Sequence, residues 1–166
     1  MILQLYTIFH TVLSLVGIAT GFVVLIGLLT GKRLDGWTKW FLIATAATTI
    51  TGFFFPFHGV TPAIKLGILS TIILAIAVYA RYAKHLAGAW RWIYVVTALV
   101  AFYFNFFVLI VQSFEKIPAL NALAPTQTEP PFAITQLVTL VLFLILIVIG
   151  VIRFRIEPPP PAAISG

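Results

Sequence analysis

FAITQLVTLVLFLILIVIGVI, residues 132–152, carries no charged side chain over 21 positions. As a helix rising about 1.5 Å per residue it covers about 30 Å, the hydrocarbon thickness of a bilayer. Backbone groups in lipid have no water to bond to, so such a run has to close its own hydrogen bonds as a transmembrane helix. Four further stretches read the same way, at residues 5–29, 38–57, 62–82 and 92–112. Single Gly and Pro residues inside them do not argue against helix, because neighbouring groups in a membrane re-satisfy the backbone. The expectation is an all-α polytopic membrane helix bundle with five transmembrane helices. Residues 1–156 form its transmembrane domain, and 157–166, with Pro158 to Pro161, form a short Pro-rich tail that cannot continue a helix.

Composition supports this reading. Hydrophobic residues make up 61% of the 166 and charged residues 8%, and the mean hydropathy is +1.13. So small a chain cannot hide that much apolar surface from water. The net charge of +6 is confined to short clusters beside apolar runs, with no basic face or reading motif, which sets nucleic acid aside as a partner. The absence of cysteine excludes disulfides, thiol catalysis, iron–sulfur clusters and Cys-ligated zinc.

The ten Lys and Arg divide unevenly between the two ends of the spans. Lys32, Arg33, Lys39, Arg81, Lys84, Arg91, Arg153 and Arg155 fall on one side, and Lys65 and Lys116 on the other. Under the positive-inside rule the richer side is cytoplasmic, which places the N-terminus outside and the C-terminus in the cytoplasm. Trp37, Trp40, Trp90 and Trp92 all fall at that same interface, where amphipathic rings prefer headgroup depth. The first span has no basic segment before it and is long for a signal peptide, so it is expected to stay attached. The long outer connection, residues 113–131, reads as a linker.

Polar positions inside the spans show which helix faces look inward. Thr7, His10, Ser14, Gly17 and Gly21 recur at three- and four-residue steps, and this stripe includes a Gly-x-x-x-Gly pair suited to close helix approach. Gly67, Thr71 and Ala75 repeat every four residues and read as a second packing seam. On the fourth span Asn105 and Gln112 share a face that Glu115 extends. With the expected orientation, His10, His58, Asn105, Gln112, Glu115 and Gln136 all lie toward the outer leaflet, where they are candidates to line one outward-opening polar pocket. His85, beside Lys84, reads as a solvated surface residue.

Two histidines from different helices can hold a haem iron with both axial positions filled, and His10 with His58 is the same-side pair present. Apolar walls with a few imidazole or amide groups also suit a quinone. The cofactor expectation is therefore haem b or a quinone, in electron transfer. Catalytic side chains are not expected. The four carboxylates fall on opposite sides as Asp35 with Glu157 and Glu115 with Glu129, so no acid and base pair forms in the membrane. Coupled transport by a small transporter needs an intramembrane acid, for which Glu115 at the margin is the candidate. An accessory or assembly subunit of a larger membrane complex, or a homo-oligomer, needs no chemistry beyond helix adhesion.

The phrases Thr51-Gly52-Phe53-Phe54-Phe55-Pro56-Phe57-His58 and Leu123-Ala124-Pro125-Thr126-Gln127-Thr128-Glu129-Pro130-Pro131-Phe132 resemble segments of small uncharacterised proteobacterial polytopic membrane proteins. That resemblance implies a bacterial inner membrane and brings no activity, cofactor or site residue with it.

Overall fold

The computed structural model describes residues 1–56 and 59–155, which are all-helical with no strand. His58 and the Pro-rich tail lie outside these residues. The helices are α1 (Ile2–Leu29), α2 (Asp35–Gly52), α3 (Pro62–Val78), α4 (Trp90–Lys116), the short α5 (Pro118–Leu123) and α6 (Pro130–Arg153). A single π turn, Tyr79–Ala83, continues α3. Local chemistry sets several of these boundaries. Pro62, Pro118 and Pro130 open α3, α5 and α6, where a missing N–H leaves no helical bond unmade. Thr61 caps α3 by accepting from the Ile64 N–H. After α1, Gly31 takes a φ of +72°, and the Lys32 N–H turns back onto the Gly27 carbonyl at 2.7 Å.

Four helical segments are long and apolar enough to cross a membrane: Ile2–Leu29, Pro62–Ala83, Trp90–Lys116 and Pro130–Arg153. This is the mark of a multi-pass membrane protein. The apolar run 38–57 predicts a fifth. The helix there begins earlier and ends at Gly52, and it does not meet the same standard among the described residues. Its composition explains the shortfall. Within 18 residues α2 includes Asp35, Lys39 and five threonines.

α4 is the hub, packed against α1, α2, α3, α5 and α6, while α1 pairs along α2. The core is built on α4's buried Tyr94, Val95, Leu99 and Phe102. Around Phe102 the rings of Phe22, Phe41, Phe106 and Phe143 meet edge-on at centroid distances of 5.1–6.3 Å, the arrangement aromatic quadrupoles favour. Gly21 makes this possible, since a Cβ there would stand 2.6 Å from the Phe102 ring. α3 and α6 lie at the periphery and expose most of their apolar side chains.

The connection 113–131 is more than a linker. It contains α5, buries Ala124, and ties back to α4 through Gln127 Nε2 to the Val111 carbonyl (3.0 Å) and Asn121 Nδ2 to the Phe114 carbonyl (3.2 Å). Phe114 and Phe132 close it with an edge-to-face contact at 5.4 Å.

Candidate functional site

Both ends of the bundle hold polar groups, and they are built differently. Toward the starts of α1 and the end of α2, His10 Nδ1 lies 2.8 Å from Thr51 Oγ1, and Tyr6 donates its hydroxyl to the Thr51 carbonyl at 2.6 Å. The Thr51 hydroxyl hydrogen is directed to the Ala47 carbonyl at 2.7 Å, the usual back-bond of a helical threonine. With the Thr51 hydroxyl in that back-bond, Oγ1 accepts from His10 and the imidazole proton sits on Nδ1; in that tautomer Nε2 keeps its lone pair. The ring stands edge-on to Phe55 at 5.1 Å.

Two turns further along the same seam, three helices meet at a single amide. Asn105 on α4 donates to Thr45 Oγ1 on α2 at 3.3 Å, and its Nδ2 would stand 3.3 Å from a Cβ placed on Gly17 of α1. Only glycine lets the amide sit there without displacement. Seven residues separate His10 from Gly17, about 10 Å along the helix, so the two polar contacts share a seam at different depths. Helical repetition puts Gln112 two turns beyond Asn105 on the same stripe of α4. Gln136 stands apart: it reaches α4 from α6, donating to the Phe107 carbonyl at 3.3 Å on another side of that helix. Its Oε1 and the Thr48 hydroxyl oxygen are buried with no partner among the described residues. Glu115 is exposed at the end of α4. Thus His10 and Asn105 both bond α2, Gln112 shares the helical stripe of Asn105, Gln136 meets another side of α4, Glu115 is exposed, and His58 lies outside the described residues.

The opposite end is tied by charge. Arg81, on the π turn, is 3% exposed. One arm of its guanidinium meets the Asp35 carboxylate and donates to the Arg33 carbonyl at 3.2 Å, and the group lies 5.0 Å over the Tyr94 ring. Arg33 Nε approaches the same carboxylate at 3.4 Å. Arg91 donates to the Val151 carbonyl at 3.0 Å and to that of Phe154, satisfying the free end of α6. The Arg81 Nη1 atom and the Tyr94 hydroxyl are buried without partners among the described residues. Sequence reasoning counted Arg81 only as a loop cation. The available signal was Asp35, a lone acid among the cations of that end before the tail, which has to draw one of them in.

In the connection 113–131 Glu129 accepts from the Thr126 hydroxyl at 2.8 Å and from the Thr126 and Thr128 N–H groups. The Thr126 hydroxyl is the chief reason that this carboxyl lies below its ordinary value of 4.5.

Among the described residues no three His, Asp or Glu side chains gather as a metal site. No protein-family model, curated protein or solved structure matches this chain.

Proposed function

We propose that this chain crosses a bacterial inner membrane five times, with its N-terminus outside, and serves as a non-catalytic accessory or assembly subunit of a larger membrane complex. Five crossings are supported by the two ends of α2, which meets Arg81 through Asp35 at one end of the bundle and His10 through Thr51 at the other. At 18 residues α2 extends about 27 Å, close to the hydrocarbon thickness. The subunit reading rests on one observation: His10, Asn105 and Gln136 each bond a neighbouring helix, so the side chains best suited to chemistry work as helix adhesion.

A second reading, haem b or a quinone bound toward the outer leaflet, has a specific observation in its favour. In the tautomer that the Thr51 back-bond favours, His10 donates through Nδ1 and Nε2 has no partner among the described residues, the state of an imidazole oriented for a metal or for the hydroxyl of a reduced quinone. The two readings separate on purification in mild detergent. A colourless protein that migrates stoichiometrically with larger partners, with no quinone in its organic extract, supports the subunit reading. A Soret band lost on His10→Ala, or an extracted quinone lost with the same substitution, overturns it.

A further inference from the structure

Of the stripe Gly67, Thr71 and Ala75, expected from sequence to pack against a neighbour, Gly67 meets the Phe53 ring, whereas Thr71 and Ala75 are exposed. With Ala46, Thr49 and Ile50 of α2 these two line an open groove of about 470 Å³ between α2 and α3. Small residues on both helices keep the groove open. Its walls are almost wholly apolar, because the hydroxyls of Thr49 and Thr71 are turned back onto the Thr45 and Gly67 carbonyls at 2.9 and 2.8 Å. Apart from the phenols of Tyr79 and Tyr82 toward the basic end, its lining offers no hydrogen bond to an occupant, which selects for hydrocarbon along the rest of its length.

The groove runs along α3 from Thr71 to Ala83 on the π turn, twelve residues or about 18 Å. Half of a bilayer's hydrocarbon core is about 15 Å, so the groove matches one leaflet, the one at the basic end. Its mouth is cationic. Lys84 follows the groove directly, with its ammonium 5.5 Å from the Tyr79 ring and 5.8 Å from that of Trp90. Lys39 stands exposed two turns before Ala46 on the same stripe of α2. An apolar channel about one leaflet long, with Lys84 next in sequence to its end on α3 and Lys39 two turns along α2 from Ala46, complements an acyl chain bearing an anionic headgroup. We propose that the α2–α3 groove is a binding site for an anionic phospholipid, its acyl chain against Ala46, Ala75 and Val78 and its phosphate between Lys39 and Lys84. A cytoplasmic leaflet is where such lipids concentrate their negative charge.

The test uses the full chain, stripped of lipid in detergent, with phosphatidylglycerol or phosphatidylcholine added back and the bound fraction read by native mass spectrometry. The wild type is expected to hold one phosphatidylglycerol in preference to phosphatidylcholine. Lys39→Gln with Lys84→Gln is expected to weaken that binding about 30-fold, the effect of two lysines near an anionic surface, while leaving six cations on the same side to keep the orientation. Ala75→Leu, at an exposed position, fills the groove and is expected to abolish binding of both lipids. Equal retention of the two lipids by the wild type overturns the proposal. So does undiminished phosphatidylglycerol in the lysine variant, or an oligomer that Ala75→Leu dissociates without change in lipid.

Discussion

The two ends of this bundle solve the same problem with different chemistry. At the basic end a nearly buried guanidinium, Arg81, gathers Asp35, the Arg33 carbonyl and the Tyr94 ring from three elements. At the other end neutral groups do the joining: His10 to Thr51, Asn105 to Thr45, Gln136 to the Phe107 carbonyl. A buried charge loses heavily when its partner goes, whereas a neutral pair in lipid loses little because either group finds another acceptor. The comparison teaches that the basic end is a single cooperative clasp and the opposite end a set of separable links.

The largest expected effect breaks the clasp. Asp35→Ala takes the carboxylate from the buried Arg81 and is expected to cost about 2.5 kcal/mol, less than for a fully buried pair because Asp35 itself is largely exposed. Adding Arg81→Met removes the stranded charge and should recover most of that loss, which thermal unfolding in detergent checks. Between the ends, where neither device acts, Gly21→Leu drives a side chain into the Phe102 ring at a Cβ distance of 2.6 Å. Its expected cost is about 2 kcal/mol, against no change for Gly36→Leu, whose Cβ meets nothing within 4 Å. At the neutral end Asn105→Leu is expected to cost about 1 kcal/mol. A double-mutant cycle with Thr45→Val should show coupling, and one pairing Asn105→Leu with Thr51→Val should show simple additivity. The smallest effect concerns Glu129. A carboxyl held below its ordinary value contributes order above 4.5 and loses it as pH falls through its lowered value. Protection of the Thr126 and Thr128 amides, taken relative to the intrinsic exchange rate at each pH, should therefore be full at pH 6 and lost only below the ordinary carboxyl value of 4.5, and Glu129→Gln should remove that pH dependence.

Much of the neutral end was legible in the sequence. Apolar run lengths located the helices, and three- and four-residue spacing placed His10, Gly17 and Asn105 on inward faces, because helical periodicity acts on each residue independently of its partners. What periodicity does not carry is which neighbour a face meets. Gln136 entered from the expected side yet faces a different side of α4 from Asn105. Thr71 and Ala75 had the spacing of a seam and border an open groove. Arg81 was hidden for another reason. A cation beside a span edge normally snorkels to water, and only the π turn together with Asp35 draws this one inward. α5 escaped notice because six residues are too few to show a period.

Which ends of the helices share a compartment decides the leaflet of every polar group described above, and a chain without cysteine is suited to single-cysteine labelling. Lys32→Cys and Lys116→Cys, made separately, are exposed to a membrane-impermeant maleimide in sealed cells and again after permeabilisation. The expected result is labelling of position 116 in sealed cells and of position 32 only after permeabilisation. Labelling of both from the same compartment would contradict the arrangement of five crossings and the leaflet assigned to each end.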